Sequence, residues 1–269
     1  MSFLLKMTYG ELKHAHALAS NMSYVRDTFV YGSQGSVYGS SCFHDKARLW
    51  NDSFLLKELL LREALVTRHS KVLELLPGTS HKVALALEAM NFSGTLTQVD
   101  LLEDRFMPTN LKFRCQRLDA DAFAKNSGWS GYDLVIGNHI VDDLLVSYLI
   151  ERTTFVRNYY HDDGEQASFW KRLDLKTIDR VAMTLSKQLI EKIATMDRGA
   201  WLVIRHYPST IEMVYDQVRR IKLTMRLHFR IASILARLAG TKSRFFDLEH
   251  YQVPRFAKLQ GSVFGLQRL

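Results

Sequence analysis

Between residues 71 and 207, short apolar runs of strand length alternate with stretches whose apolar residues recur at helical spacing. No other feature of the chain restricts its possible folds as strongly. KVLELL (71–76), TLTQVD (95–100), a strand within NLKFRCQRLD (110–119), YDLVIGN (132–138) and GAWLVIRHY (199–207) read as strands. HKVALALEAM (81–90), HIVDDLLVSYLI (139–150) and LKTIDRVAMTLSKQLIEKIATM (175–196) read as helices. Alternation of this kind means βαβ units, hence a mostly parallel sheet covered on both faces. The end of the chain departs from the pattern. FFDLEHYQV (245–253) and GSVFGLQRL (261–269) are both strand-like with no strong helix between them, which predicts an antiparallel pair at the sheet edge.

Three segments lie outside this alternation. Residues 1–70 are expected to form a helical cap, with one helix from Glu11 to about Arg26 and a second, capped by Asn51-Asp52-Ser53, running to about His69. Between them, YGSQGSVYGSSCF (31–43) is rich in Gly and Ser, which predicts a mobile segment: a lid over a ligand, with Tyr31 and Tyr38 as contacts, or a surface loop. Its YGS element recurs at too short a spacing for a repeat architecture. Residues 151–174, containing RNYYHDDGEQASFW, are long for a connection, and such insertions are often functional. Tyr159, Tyr160, His161 and Trp170 there either shape a pocket for a ring or an acyl chain or pack the insertion onto the body. The third segment is a helix from about Ser209 to Ala239. The expected domains are therefore 1–70 and 71–269.

Composition excludes several classes. A chain of 269 residues with 47% hydrophobic and 24% charged residues is globular, neither disordered nor fibrous. No apolar run approaches the ~18 residues that span a bilayer. The start, MSFLLKMTYGELKHAH, has only a short apolar patch and an early Glu11, unlike a signal peptide. Cys42 and Cys115 are too few for a disulfide framework or a four-ligand zinc site. A cytoplasmic protein without a metal is expected. The net charge of +8 is concentrated: residues 198–269 hold 13 Lys+Arg against 4 Asp+Glu, while residues 1–197 hold 23 against 24. Within the last helix, Arg219, Arg226, Arg230 and Arg237 are spaced by 7, 4 and 7 and fall on one stripe, with Ile221, Met225, Ile231 and Leu235 broadly opposite. The ridge suits RNA phosphates, an anionic membrane surface, an acidic carrier protein, or water alone. No aromatic residues interleave it, so stacking on single-stranded bases is not indicated.

Doubly wound sheets bind ligands at the carboxyl ends of their strands, so the residues that follow each strand are the candidates. The first strand leads into Leu76-Pro77-Gly78-Thr79-Ser80, a turn entering a helix, where backbone N–H groups approach a ligand closely. The second ends in Asp100, a carboxylate placed to accept both hydroxyls of a ribose. The third ends in Asp119-Ala120-Asp121, the fourth in Asn138-His139, the fifth in His206-Tyr207.

These motifs resemble class I S-adenosylmethionine-dependent methyltransferases over residues 71 to about 269. VLELLPGTS resembles that family's first motif, an acidic residue followed by a Gly-rich turn, with Glu74 at the acidic position and Leu75 to Ser80 along the turn. TQVDLL resembles the second, which implies that Asp100 and Leu101 meet the ribose. RLDADAF resembles the third, where Asp119 would contact the adenine amine and Ala120 the ring edge, with Asp121 competing for the Asp119 role. YDLVIGNHIVDDLL resembles the fourth, which sets Asn138 and His139 beside the methionine part of the cofactor. The chain departs from the family in the first turn, where two of three alternating glycines are Leu76 and Ser80. The implied fold is Rossmann-like, a mostly parallel seven-stranded sheet with an antiparallel terminal hairpin.

The implied reaction is an in-line displacement at a sulfonium methyl, for which a protein supplies mainly proximity, alignment and suitable polarity. A general base is needed only where the acceptor is protonated, and His139, His161 and His206 are the candidates. His139 either meets the ligand or caps the following helix. Asp142 and Asp143 sit in that helix's first turn, where its dipole favours carboxylates. Tyr159, Tyr160, His161, His206 and Tyr207 are expected to line the acceptor site. Asn138-His139-Ile140-Val141 lacks the prolines usual at this motif in enzymes that methylate base amines, which points to a small-molecule acceptor in specialised metabolism. The alternatives are an RNA or protein methyltransferase using the arginine ridge, and a non-catalytic partner that keeps the fold.

Overall fold

The computed structural model describes residues 53, 55–77, 82–100, 111–121, 123–124, 128–150, 163–207, 218–252 and 260–269. The chain divides after Asp121 into two compact units.

In the first unit, β1 (Lys71–Leu75), β2 (Thr95–Asp100) and β3 (Arg114–Asp119) form a parallel ladder in the order β3-β2-β1, and α1 (Lys82–Ala89) follows β1. α1 is buried at every position from Val83 to Glu88, as a helix that is apolar nearly all round must be. Phe92 and Phe113 meet edge to face, with ring centroids 5.2 Å apart, beneath the starts of β2 and β3. Leu56, Leu59 and Leu60 recur at helical spacing and are fully buried in a helical run that closes by residue 62, short of the expected His69. The chain then runs against the entry to β2: Ser93 and Thr95 donate backbone N–H groups to the carbonyls of Arg68 and Ser70. A Cβ at Gly94 would lie 2.0 Å from the Ser70 carbonyl oxygen, so only glycine passes there.

The second unit contains β4 (Leu134–Asn138), α2 (Val141–Leu149), α3 (Asp163–Arg172), α4 (Leu175–Ile193), β5 (Trp201–His206), α5 (Val218–Leu238), β6 (Ser243–Gln252) and β7 (Gln260–Arg268). Its strands lie in the order β4-β5-β7-β6. β4 and β5 are parallel; β7 pairs antiparallel to both β5 and β6, which is the expected terminal hairpin. A bulge between Asp247 and Glu249 interrupts the outer ladder. β4 is buried at all five positions, as expected for a parallel strand covered on both faces. The seven strands are thus mostly parallel, with an antiparallel terminal pair, and the expected α/β class holds.

α4 starts on Asp174, whose carboxylate accepts from the Thr177 N–H at 2.7 Å. Its buried positions Ile178, Val181, Ala182, Leu185, Leu189 and Ile193 form one stripe, and α5 packs on α4 with Ile221, Leu227, Ile231 and Leu235 buried. Met225 is half-buried. The arginine ridge of α5 is exposed, and it also ties α5 to its neighbours. Arg226 and Arg230 both reach Asp179 of α4, at 3.0 and 3.1 Å. Arg219 donates to the carbonyls of Trp170, in the last turn of α3, and Leu173, just beyond it, at 2.8 and 2.7 Å. Arg237 bonds the Ser233 carbonyl of its own helix.

Candidate active site

In the first unit the polar residues form rows across one face of the ladder. Glu74, Gln98 and Arg117 are register partners on β1, β2 and β3. Since side chains alternate across a strand, Asp100 and Cys115 share their face. The Gln98 amide orders the row: its Nε2 donates to Glu74 Oε2 at 2.7 Å, and its Oε1 faces Cys115 Sγ at 3.9 Å. Arg117 Nη2 lies 3.2 Å from Asp100 Oδ2; the Asp100 side chain is buried and that of Arg117 nearly so. Glu74 is buried (2% exposed), and its carboxyl is pushed up to about 7. Loss of hydration is the main cause; the Gln98 bond and the Arg117 charge oppose it, and the Asp100 charge adds to it. Burial, then the Glu74 charge, pushes the Cys115 thiol up to about 12, which makes it inert.

The carboxyl edge of this ladder is where the first three motifs converge. Leu76 continues the pairing of β1, its N–H donating to the Val99 carbonyl at 2.8 Å, and then turns with φ +48°. This left-handed conformation is strained for a leucine and easy for the glycine usual at that motif position. Pro77 is buried beside it. Asp100 and Asp119 are register partners at the ends of β2 and β3, and the Ala120 N–H donates to the Asp100 carbonyl at 3.1 Å. Leu75, Leu76, Asp100, Asp119 and Ala120 therefore share one edge. Gly78, Thr79, Ser80 and Leu101 lie outside the described residues, as do Tyr31, Tyr38, Tyr159, Tyr160 and His161.

A second polar cluster lies wholly within the second unit. Asn138, the last residue of β4, is the register partner of Arg205, the last but one of β5, and Arg205 Nη1 donates to Asn138 Oδ1 at 3.0 Å. The Arg205 guanidinium also sits 4.5 Å over the Tyr207 ring. The His139 N–H donates to the Arg205 carbonyl at 2.8 Å, and the backbone then turns left-handed at φ +65°. That turn aims the His139 ring at its neighbours: 4.9 Å from the His206 ring and 5.0 Å from Tyr207, with Nδ1 3.7 Å from Asp142 Oδ1. His139 does not cap α2, because the N-cap is Ile140 and makes no side-chain cap bond. Asp142 is buried (3% exposed), more than the dipole of a surface helix requires, and Arg220 of α5 donates to its Oδ2 at 2.5 Å. His206 is fully buried; beyond it lies His228 of α5, ring to ring at 5.6 Å, with Nε2 2.6 Å from Ser262 Oγ on β7.

Four contributors escaped the sequence reading. Gln98 and Arg117 were detectable from two-residue alternation, since each falls on the same strand face as a recognised acid. Arg220 and His228 lie on the last helix, which was read for its arginine ridge and its apolar face; both fall off the ridge, about 80° apart around the axis. Trp170 packs, buried against Phe169 and under the Arg220 guanidinium at 5.2 Å.

No protein-family model matches the sequence, and neither does any curated protein. Solved structures do resemble the fold. The plantazolicin methyltransferase BpumL, crystallised with a monoazolic desmethylPZN analogue and SAH, matches at 9% identity and TM-score 0.49 over 97% of each chain. An O-methyltransferase from Bacillus cereus in complex with SAH matches at 9% identity and TM-score 0.41, over 98% of this chain and 93% of that one. TrmN from Thermus thermophilus matches at 14% identity and TM-score 0.41, over 83% of this chain, which spans 53% of the TrmN chain.

Proposed function

We propose that this chain is an S-adenosylmethionine-dependent methyltransferase acting on a small-molecule acceptor, in specialised metabolism. The observation that carries the proposal is the register of β1, β2 and β3. It sets the turn at Leu76, the Asp100 carboxylate and the Asp119-Ala120 step side by side at the carboxyl edge of a parallel ladder, where doubly wound folds bind their ligands. There Asp100 takes the ribose hydroxyls with Arg117 fixing its carboxylate, Asp119 and Ala120 take the adenine, and the turn from Leu76 offers backbone N–H groups. The groups that touch the acceptor are His139, His206 and Tyr207. Burial of His206 and Asp142 suits a closed pocket for a small molecule more than an open nucleic-acid surface. The engagement of Arg219, Arg226 and Arg230 with α3 and α4 further favours that choice over an RNA or protein acceptor.

Leu76 favours a second reading, a non-catalytic partner with the same fold, because its side chain stands where the family's backbone passes the cofactor. Calorimetry with S-adenosylmethionine separates the two. The enzyme binds one cofactor per chain, and Asp100→Ala weakens binding at least about tenfold, the loss of one charged hydrogen-bond acceptor. Absence of binding up to about 1 mM cofactor, with the wild-type chain folded, would leave the partner role.

A further inference from the structure

We propose that His139, Asp142 and His206 bind a divalent transition-metal ion. One ligand atom from each lies within 4.8 Å of the other two, and the group is drawn from three features of the second unit: the turn after β4, the first turn of α2 and, beyond α3 and α4 in the chain, the end of β5. Two imidazoles and one carboxylate form a donor set that suits zinc, iron, cobalt or nickel more than magnesium or calcium. Around a tetrahedral ion with bonds near 2.0–2.2 Å, ligand atoms stand roughly 3.3 Å apart. His139 Nδ1 and Asp142 Oδ1, at 3.7 Å, are already close to that edge. The widest separation closes by about 1.5 Å, which small χ rotations of two side chains supply.

The surroundings fit a metal centre in three respects. Arg220 grips Asp142 through Oδ2, the oxygen that does not face His139, and so orients the carboxylate as outer groups orient metal ligands. His206 is packed against His228, which Ser262 fixes in turn. The His139 side chain is 19% exposed while the other two ligands are buried, so among the three an ion meets His139 first. The left-handed backbone at His139 is a strained conformation for a non-glycine residue, and it serves to aim the ring at this point. Charge also limits the occupant. Arg220 already balances Asp142, so the ion adds net positive charge to a buried site. Three protein ligands leave positions open, and an anionic oxygen, from hydroxide or from a deprotonated acceptor, completes the sphere. This inference does not rest on methyl transfer, because its readout is the ion itself.

The test uses the untagged full chain, stripped with a chelator and titrated with Zn²⁺ by calorimetry. The expected result is one ion per chain, with affinity reduced at least about 100-fold in His139→Ala and in Asp142→Asn. His69→Ala, a control at an exposed histidine of the first unit, leaves it unchanged. Circular dichroism checks the fold of each variant. With Co²⁺, wild-type protein gives visible d–d bands and paramagnetically shifted imidazole resonances, a readout that needs no variant. Absence of one-to-one binding at about 100 μM ion, unshifted imidazole resonances, or equal affinity in a folded His139→Ala would each overturn the proposal. Cofactor calorimetry on the same samples reports separately on methyl transfer.

Discussion

Replacing Glu74 with Gln is expected to stabilise this protein above neutral pH and to leave it nearly unchanged in acid. The carboxyl is buried and pushed from 4.5 to about 7, chiefly by loss of hydration. Between those two values the folded chain holds a proton that the unfolded chain releases, so stability falls as pH rises. The decline is complete above pH 7, and a shift from 4.5 to about 7 corresponds to about 3 kcal/mol. Gln at this position still offers an oxygen to Gln98 Nε2, which donates to Glu74 at 2.7 Å, and it carries no charge. Urea unfolding of both proteins between pH 4 and pH 8 gives the difference directly, with all other titrating groups cancelling. The two should agree within about 1 kcal/mol at the acid end and differ by up to about 3 kcal/mol at pH 8, the variant being more stable. A difference that does not change with pH, or a variant less stable at pH 8, would refute the desolvation argument. A confirmed gain would mark Glu74 as a carboxylate kept at the expense of stability, as expected of a functional group.

Other expectations follow from single contacts. Gly137→Ala should cost about 1–3 kcal/mol in urea unfolding, because the new Cβ would lie 2.3 Å from Ile140 Cδ1; an unchanged midpoint would show that Ile140 moves aside freely. Leu76→Gly should change stability by less than about 1 kcal/mol, since relief of the left-handed strain offsets the loss of a half-buried leucine. The same variant should bind S-adenosylhomocysteine at least as tightly as wild type in calorimetry; weaker binding would show that the side chain itself holds ligand. Asp179→Asn should cost less than about 1 kcal/mol in low salt and nothing in 0.5 M salt, as for exposed pairs. The Arg226 hydrogen bond and the two arginine charges hold the Asp179 carboxyl below the usual carboxylate range. Its small contribution is therefore present above the unfolded value and is lost as pH falls through the folded one; a cost that grows in acid would contradict this.

Much of the fold was legible because its strands are buried on both faces. LVIGN and WLVIRH are nearly continuous apolar runs, and the acids that follow such runs stand out in sequence. Asp100 stands out in this way, as does the amide of Asn138, whereas Glu74 lies inside β1 and is legible only through the resemblance of VLELLPGTS to the family's first motif. Alternation puts Gln98 and Arg117 on the strand faces of Asp100 and Asp119, but which group each one meets is set by the register of β1, β2 and β3, which alternation does not encode. His139 and His206 were recognised as strand-end histidines, but their approach to Asp142, Arg220 and His228 depends on how α5 crosses the second unit, which periodicity does not encode. The same limit governs the arginine ridge. Its stripe was correctly read from spacing, yet Asp179, the carboxylate that Arg226 and Arg230 share, lies 47 and 51 residues away in the chain.

A crystal of this protein grown with S-adenosylhomocysteine tests the central claim most directly. The adenosine is expected at the carboxyl ends of β1, β2 and β3, with its ribose hydroxyls within hydrogen-bond distance of the Asp100 carboxylate. Nucleoside density elsewhere, or an edge closed by the Leu76 side chain, would contradict it.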